Sequence, residues 1–372
     1  MSSGSCLRRV YSSSQLYGGF PRKSPAIPWS AEPFSESSAF WPDDPSGDSL
    51  APLLQRQFQK HSTRNQAPVT KVGMFDSGLG GMTVYKRLRQ DFPTEVSFVA
   101  DDGRAPYGPQ PPADVADASR EVLRFLKGAL IACNTASIAT IAYNVADEEE
   151  FAQLPILPIV PPYGSFFTAL GHLGSCRKVG IFATDATCSS QAYQRKILSA
   201  AGFSIVPNRV DTEAFPLQAA TTNCIGCAEC VKAVQREAPF DKEATWEQDT
   251  EAMLRRKFAS YFLDGVPVIN FLIFGCTHFP ILEPLVRKVF GEGVALIDPA
   301  VYQVKLAAEL GISSSRKGEE FSVSAAPHSS KLATFRNAAR AIELNYLDLR
   351  KPQNWTVVPL SNMGGRRLDI LV

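Results

Sequence analysis

The chain has 372 residues, 45% of them hydrophobic and 20% charged, with a formal net charge of +1. This length and make-up suit two α/β domains with a real core, and the near-zero charge gives no bulk reason for a nucleic acid or an anionic membrane as partner; a small-molecule ligand is expected instead. Eight cysteines in so long a chain, without a long apolar run or a signal-like core near Met1, argue against a secreted disulfide framework and a membrane span, so most thiols are expected to be reduced.

Up to about Ser30 the sequence is rich in Ser, carries Arg8, Arg9, Arg22 and Lys23, and has no acidic residue before Glu32. That composition suits an organelle transit segment, and Arg8-Arg9-Val10-Tyr11-Ser12 is similar to a mitochondrial presequence cleavage site; a disordered tail reads equally well. From Ser30 to about Ala67 the Pro- and Ser-rich chain reads as linker. Residues 1–68 are therefore expected to be a disordered extension. The protein is expected in the cytoplasm or, if the extension is a transit peptide, in a mitochondrion or plastid.

The fold is expected to start near Val69. "KVGMFDSGLGG", from Lys71, is a short apolar run ending in polar groups, the pattern of a parallel strand delivering Asp76 and Ser77 at its carboxyl end. Its glycines would let N–H groups approach an anion, but it is neither a Walker sequence nor a dinucleotide fingerprint, and Asp76 repels phosphate. A ligand with both a carboxylate and an ammonium group suits it better, the plainer alternative being helix capping by Asp76 and Ser77. Glu95 to Ala100 reads as the next strand. "RAPYGP", Arg104 to Pro109, reads as a loop fixed by two prolines and a glycine, with Tyr107 exposed. Ala113 to Lys127 reads as a helix with Val115, Val122, Leu123 and Leu126 on its apolar face, ended by Gly128 and tightly linked to the next strand.

That strand, in "ALIACNTAS", runs into Cys133, Asn134 and Thr135. Later the pattern recurs. "KVGIFATDAT" at Lys178 matches the first motif, and "NFLIFGCTHFP", Asn270 to Pro280, matches the second with Cys276, Thr277 and His278. Two matched pairs in the same order predict two related α/β halves, each with a mainly parallel sheet flanked by helices. Ligands of open parallel sheets sit beyond the carboxyl strand ends, so facing halves would share one cleft. A lone buried cysteine is more often inert packing; two at matched strand ends, one beside Asn-Thr and one beside Thr-His, point to a shared site. His278 stands where it would orient or polarise Cys276. An insertion is expected from about Asn208 to Leu263, containing "CIGCAEC" with Cys224, Cys227 and Cys230. Those three read as a metal site, an ordinary surface helix or loop, or redox-active thiols; no second cluster completes a zinc set, and no metal is expected.

In this order, "FDSGLGG", "PYGP", "ACNTAS", "ATDAT" and "GCTHFP" resemble the glutamate racemase family of the aspartate/glutamate racemase superfamily, over roughly Val69 to Leu310. The resemblance implies two similar α/β domains around a cleft and cofactor-independent interconversion of L- and D-glutamate by two cysteines, here Cys133 and Cys276. It implies Asp76 and His278 as their assistants, and Ser77, Pro106, Tyr107, Gly108, Asn134, Thr135, Thr184, Thr187 and Thr277 as substrate contacts. It further implies domains at 69–165 plus about 281–345 and at 166–280, a tail at 346–372, glutamate as the small-molecule partner, and a possible homodimer. D-Glutamate is a peptidoglycan precursor in this family.

The chemistry agrees with that pattern, because inverting a stereocentre needs a proton removed from one face and another delivered to the opposite face. Twin halves supply two such groups. An unperturbed thiol of pKa ~8.5 is only a few per cent ionised near neutrality, so its neighbours must assist the base. The chain departs from the family in the short Leu126 to Ala129 link, in having "TEAFPLQAATTNC" roughly where a Cys-Pro motif and acidic residue stand, and in its longer insertion. The alternatives are a racemase or related enzyme acting on aspartate or another small acid, and a catalytically inactive amino-acid-binding homologue.

Overall fold

The structure, a computed structural model, describes residues 72–91, 95–127, 129–152, 154–160, 179–193, 222–309, 318–324 and 356–358. The N-terminal extension, the start of the expected insertion and most of the expected C-terminal tail lie outside the described residues.

Three uninterrupted apolar runs form the strands that carry the fold: β1 (Val72–Asp76), β5 (Val179–Ala183) and β9 (Phe271–Gly275). Continuous rather than alternating burial is what a parallel strand covered on both faces requires. The first sheet has the order β12-β11-β2-β1-β3-β4 and every pairing in it is parallel. Its other strands are β2 (Glu95–Ala100), β3 (Ala129–Ile131), β4 (Ile156–Pro158), β11 (Gly318–Ser324) and β12 (Thr356–Val358). The second sheet, also parallel, has the order β10-β9-β5-β6, with β6 (Thr222–Gly226) and β10 (Ala295–Ile297) at its edges. A small antiparallel hairpin, β7 (Phe262–Leu263) and β8 (Val266–Pro267), stands apart from both.

The described helices are α1 (Gly81–Asp91), α2 (Pro112–Leu126), α3 (Asn134–Ala142), α4 (Asp185–Ser190), α5 (Ala228–Gln235), α6 (Trp246–Lys257), α7 (Glu283–Phe290) and α8 (Pro299–Glu309). Helix α2 buries Val115, Val122 and Leu123, as its periodicity predicts. Its end differs from the prediction. Lys127, not Gly128, closes the helix, taking the left-handed conformation at φ 55° with its N–H on the Leu123 carbonyl. A left-handed residue turns the chain in one step, which is how so short a link still delivers β3 beside β1.

Two boundaries are corrected. The return to the first sheet comes after Ile297 and not near residue 281, because β10 hydrogen-bonds alongside β9. The stretch read as an insertion holds β6, α5 and α6, so part of it belongs to the second sheet; Thr222–Gly226 has no apolar run to announce a strand. One apolar cluster runs through both halves, including Met74 and Leu130 from the first and Val179, Ile181 and Ile273 from the second. Helix α8 ties the halves further: buried Gln303 donates from Nε2 to the carbonyls of Ile131, at 3.1 Å, and Leu157, at 2.6 Å.

Candidate active site

Neighbouring strands place the polar groups. The Ala132 N–H bonds the Phe75 carbonyl at 2.8 Å, so the chain leaving β3 stays against the end of β1 and brings Cys133 beside Ser77. Cys133 caps α3: its sulfur accepts from the Ala136 N–H at 3.5 Å and lies 3.7 Å from Ser77 Oγ. In the second sheet Ala183 pairs with Gly275, which sets Cys276 beside Thr184 in sequence register. Cys276 Sγ lies 3.8 Å from His278 Nδ1. Each sulfur-bearing residue is only 5% exposed, and these are the two free cysteines among the described residues.

Burial dominates their electrostatics. It pushes the Cys133 thiol well above its ordinary value, and the nearby Asp76 charge adds to the rise, while the N–H groups of Ala136 and Ser77 oppose it. Burial pushes Cys276 up to about 12, Asp76 again adding and the His278 and Phe279 N–H groups opposing. Burial pushes His278 down, against the pull of Asp76. At both positions burial favours the protonated thiol over the thiolate.

Asp76 is the group the two halves share. It is fully buried at the end of β1; Oδ2 accepts the Gly81 N–H at 2.6 Å and the Thr277 hydroxyl at 3.5 Å, while Oδ1 has no partner among the described residues. Thr83 donates to the Thr277 carbonyl at 3.0 Å. The loop between Asp76 and α1 fits against the second half because residue 80 is glycine: a Cβ there would stand 2.3 Å from Thr277 Oγ1 and 2.4 Å from His278 Nδ1.

The remaining candidates fall into three groups. Thr135 and Thr184 face each other across the halves with hydroxyls 3.3 Å apart, and Thr184 caps α4 by accepting the Thr187 N–H and donating to its hydroxyl. Asn134 is buried, its Oδ1 accepting from Tyr193 at 2.6 Å and its Nδ2 without a partner among the described residues. Gly108 lies against Thr184, a Cβ on it meeting that residue's Cβ at 3.7 Å, whereas Pro106 is exposed. Tyr107 corrects the sequence expectation. It is buried, not exposed, its hydroxyl donating to the Asp101 carboxylate, which also takes Arg104 Nε at 2.6 Å. A phenol ring accepts burial when its hydroxyl finds such a partner.

The cysteines of "CIGCAEC" are paired. Cys188 bonds Cys224 and Cys227 bonds Cys230, so four cysteines form disulfides in a chain where most thiols are expected to be reduced. Cys224 lies in β6, and Cys227 precedes α5 with its sulfur and that of Cys230 packed 3.6 and 3.5 Å from Met253 Sδ. Among the described residues no group of three or more His, Cys, Asp or Glu side chains could hold a metal, and no helix is long and apolar enough to cross a membrane. Two residues escaped the sequence reading: Tyr193, and Gln235, whose Nε2 lies 3.2 Å from His278 Nε2. Neither sits in a motif; only their spacing from Thr187 and Cys227 along the chain could have flagged them.

Fold and site define a two-sheet α/β enzyme scaffold in which each sheet contributes one buried free thiol near a shared carboxylate. The chain belongs to the Asp/Glu/Hydantoin racemase family, whose model matches residues 81–307, and is an enzyme of the isomerase class. It is 31% identical over 245 residues to a glutamate racemase of Pediococcus pentosaceus, covering 64% of this chain and 80% of that one. Its fold matches the glutamate racemase of Thermus thermophilus solved with β-chloro-D-alanine, at TM-score 0.57 and 27% identity over 80% of this chain and 99% of that one. The Francisella tularensis glutamate racemase solved with D-glutamate matches at TM-score 0.55 and 26% identity, covering 78% and 97%.

Proposed function

We propose that this protein interconverts L- and D-glutamate without a cofactor, with Cys133 and Cys276 as the two proton carriers. The observation that carries the reading is the pair of free thiols, both buried, at the ends of β3 and β9, each within electrostatic reach of Asp76. One thiolate removes the α-proton, the carbon becomes planar, and the other thiol delivers a proton to the opposite face. Asp76 and His278 assist the two sulfurs. The substrate contacts are Ser77, Asn134, Thr135, Thr184, Thr187, Thr277 and the Pro106-Tyr107-Gly108 loop; the unpartnered Asn134 Nδ2 is a donor for the ligand carboxylate, and the unpartnered Asp76 Oδ1 an acceptor for its ammonium. D-Glutamate in the Francisella relative supports that substrate.

The test is to incubate the purified protein with L-glutamate and L-aspartate separately and to resolve the products by chiral chromatography. D-Glutamate from L-glutamate supports the reading. D-Aspartate alone moves the substrate, and binding of glutamate without any D-product makes the chain a binding homologue.

A further inference from the structure

One aromatic side chain stands between the two cysteine-bearing turns. Tyr193, fully buried, follows helix α4 in the second half, and its hydroxyl crosses to the first half to donate to Asn134 Oδ1 at 2.6 Å. Asn134 is the residue after Cys133. The same ring lies over Gly275, the residue before Cys276: a Cβ added there would stand 3.2 Å from Tyr193 Cε2. The ring thus uses the space that a side chain at position 275 would take. Its own support is tied down. Gln191 closes α4 in the left-handed conformation at φ 54°, and the Ser190 hydroxyl donates to the Thr187 carbonyl at 2.7 Å while accepting the Ala192 N–H at 3.2 Å.

We infer that Tyr193 is a positioning residue with two separable parts: its ring sets the spacing of the Cys133 and Cys276 turns, and its hydroxyl aims the Asn134 amide at the ligand; this rests on the reading of Cys133, Cys276 and Asn134 as parts of the active site. A carboxamide is planar, with its acceptor on one side and its two donors on the other, so fixing Oδ1 fixes where Nδ2 points. Nδ2 is the atom left without a partner among the described residues. Without the phenol the amide is free to turn over, and its oxygen then faces the ligand carboxylate and repels it.

The part played by the ring follows from the geometry of the reaction. An inversion by two bases needs one sulfur on each face of the α-carbon, and a misplacement of about 1 Å costs such a step about a hundredfold. A packed aromatic ring resists compression in a way that a single hydrogen bond does not. Phenylalanine in this place keeps the spacer and loses the hydroxyl; leucine loses both.

The experiment is a double-mutant cycle on the full chain, with glutamate inversion followed by chiral detection and melting curves to check folding. Tyr193→Phe should raise KM about tenfold, the worth of one hydrogen bond, and change kcat far less. In an Asn134→Ala background the same change should add nothing, because the amide it acts through is gone. Tyr193→Leu should instead lower kcat about a hundredfold, a loss that Tyr193→Phe avoids. If Tyr193→Phe leaves KM unchanged, or raises it equally with and without the Asn134 amide, the part given to the hydroxyl is wrong; an unchanged kcat in folded Tyr193→Leu sinks the part given to the ring. The amide is also read without turnover. With asparagine labelled by nitrogen-15 and Asn134→Ala for assignment, Tyr193→Phe should shift and broaden the Asn134 Nδ2 signal. An unchanged signal overturns the aiming of the amide whether or not the protein racemises glutamate. A shifted signal in a protein that inverts no amino acid leaves that aiming standing and defeats the functional reading.

Discussion

Thr277 and Asp76 lie 201 positions apart, yet the threonine hydroxyl donates to the carboxylate at 3.5 Å. That bond joins the loop after β9 to the end of β1, at the carboxylate that raises both thiols. Asp76→Asn preserves size and can still accept the Gly81 N–H, so the fold should hold. Turnover should fall by about 10²–10⁴, the usual contribution of a positioned acid–base group. Steady-state kinetics with chiral detection, beside a melting curve, separates the two effects.

The thiol shifts fix a pH dependence. Since the base must be a thiolate and burial raises both thiols, kcat/KM of the free enzyme should climb through the neutral and alkaline range, by about one log unit per pH unit. His278, whose own proton binding is weakened by burial, should add no limb above about pH 6.5. Stability runs the other way. A thiol that holds its proton more tightly folded than unfolded contributes fully below the ordinary value of 9.0 and loses that contribution as pH rises towards 12 for Cys276. Melting temperature should decline across that window, less steeply in Cys276→Ala.

Single substitution of either thiol distinguishes paired from solitary chemistry. Cys133→Ala and Cys276→Ala should each abolish inversion, while in deuterated water each slowly exchanges the α-hydrogen of one enantiomer, the two variants choosing opposite ones. Substantial racemisation by either would refute the two-base mechanism.

The Cys188–Cys224 bond joins α4 to β6 across 36 positions. Cys188→Ser should cost about 2–4 kcal/mol of folding stability, by the loop-entropy argument. At a temperature where the fold persists, turnover should change little, because both cysteines pack against the apolar core and neither is assigned a part in the reaction. Denaturant titration and an assay well below the melting point test the two halves of that expectation.

Lys127 carries a side chain in a conformation suited to glycine, and is exposed. Lys127→Gly should therefore stabilise the protein by up to about 1 kcal/mol, relief of left-handed strain outweighing the added freedom of the unfolded chain. Urea unfolding of both proteins gives the sign.

What the sequence reveals follows what leaves a local pattern. β1, β2 and β9 are legible because burial on both faces demands apolar runs, and Cys133 and Cys276 because they end such runs beside polar residues. β6 is hidden, since Thr222–Gly226 is a sheet-edge strand without an apolar run. Tyr107 is misjudged for a related reason: prolines and a glycine announce a loop, but the Asp101 carboxylate that draws the ring inward is a tertiary partner. Gln235 and Tyr193 stand in no motif, and only tertiary folding brings Gln235 to His278 within the second half and Tyr193 to Asn134 across the two halves.

Gly80 makes the seam between the halves unusually intolerant of genetic drift. Any single-base change in a glycine codon that alters the residue adds a side-chain carbon or stops translation, and the first such carbon here falls inside the space of Thr277 and His278. The nearest atoms belong to two side chains that themselves carry hydrogen bonds at the site, so they have little room to retreat. Position 80 therefore has no conservative neighbour in mutational space: a lineage can rebuild its surface loops freely while this one missing methyl group stays fixed.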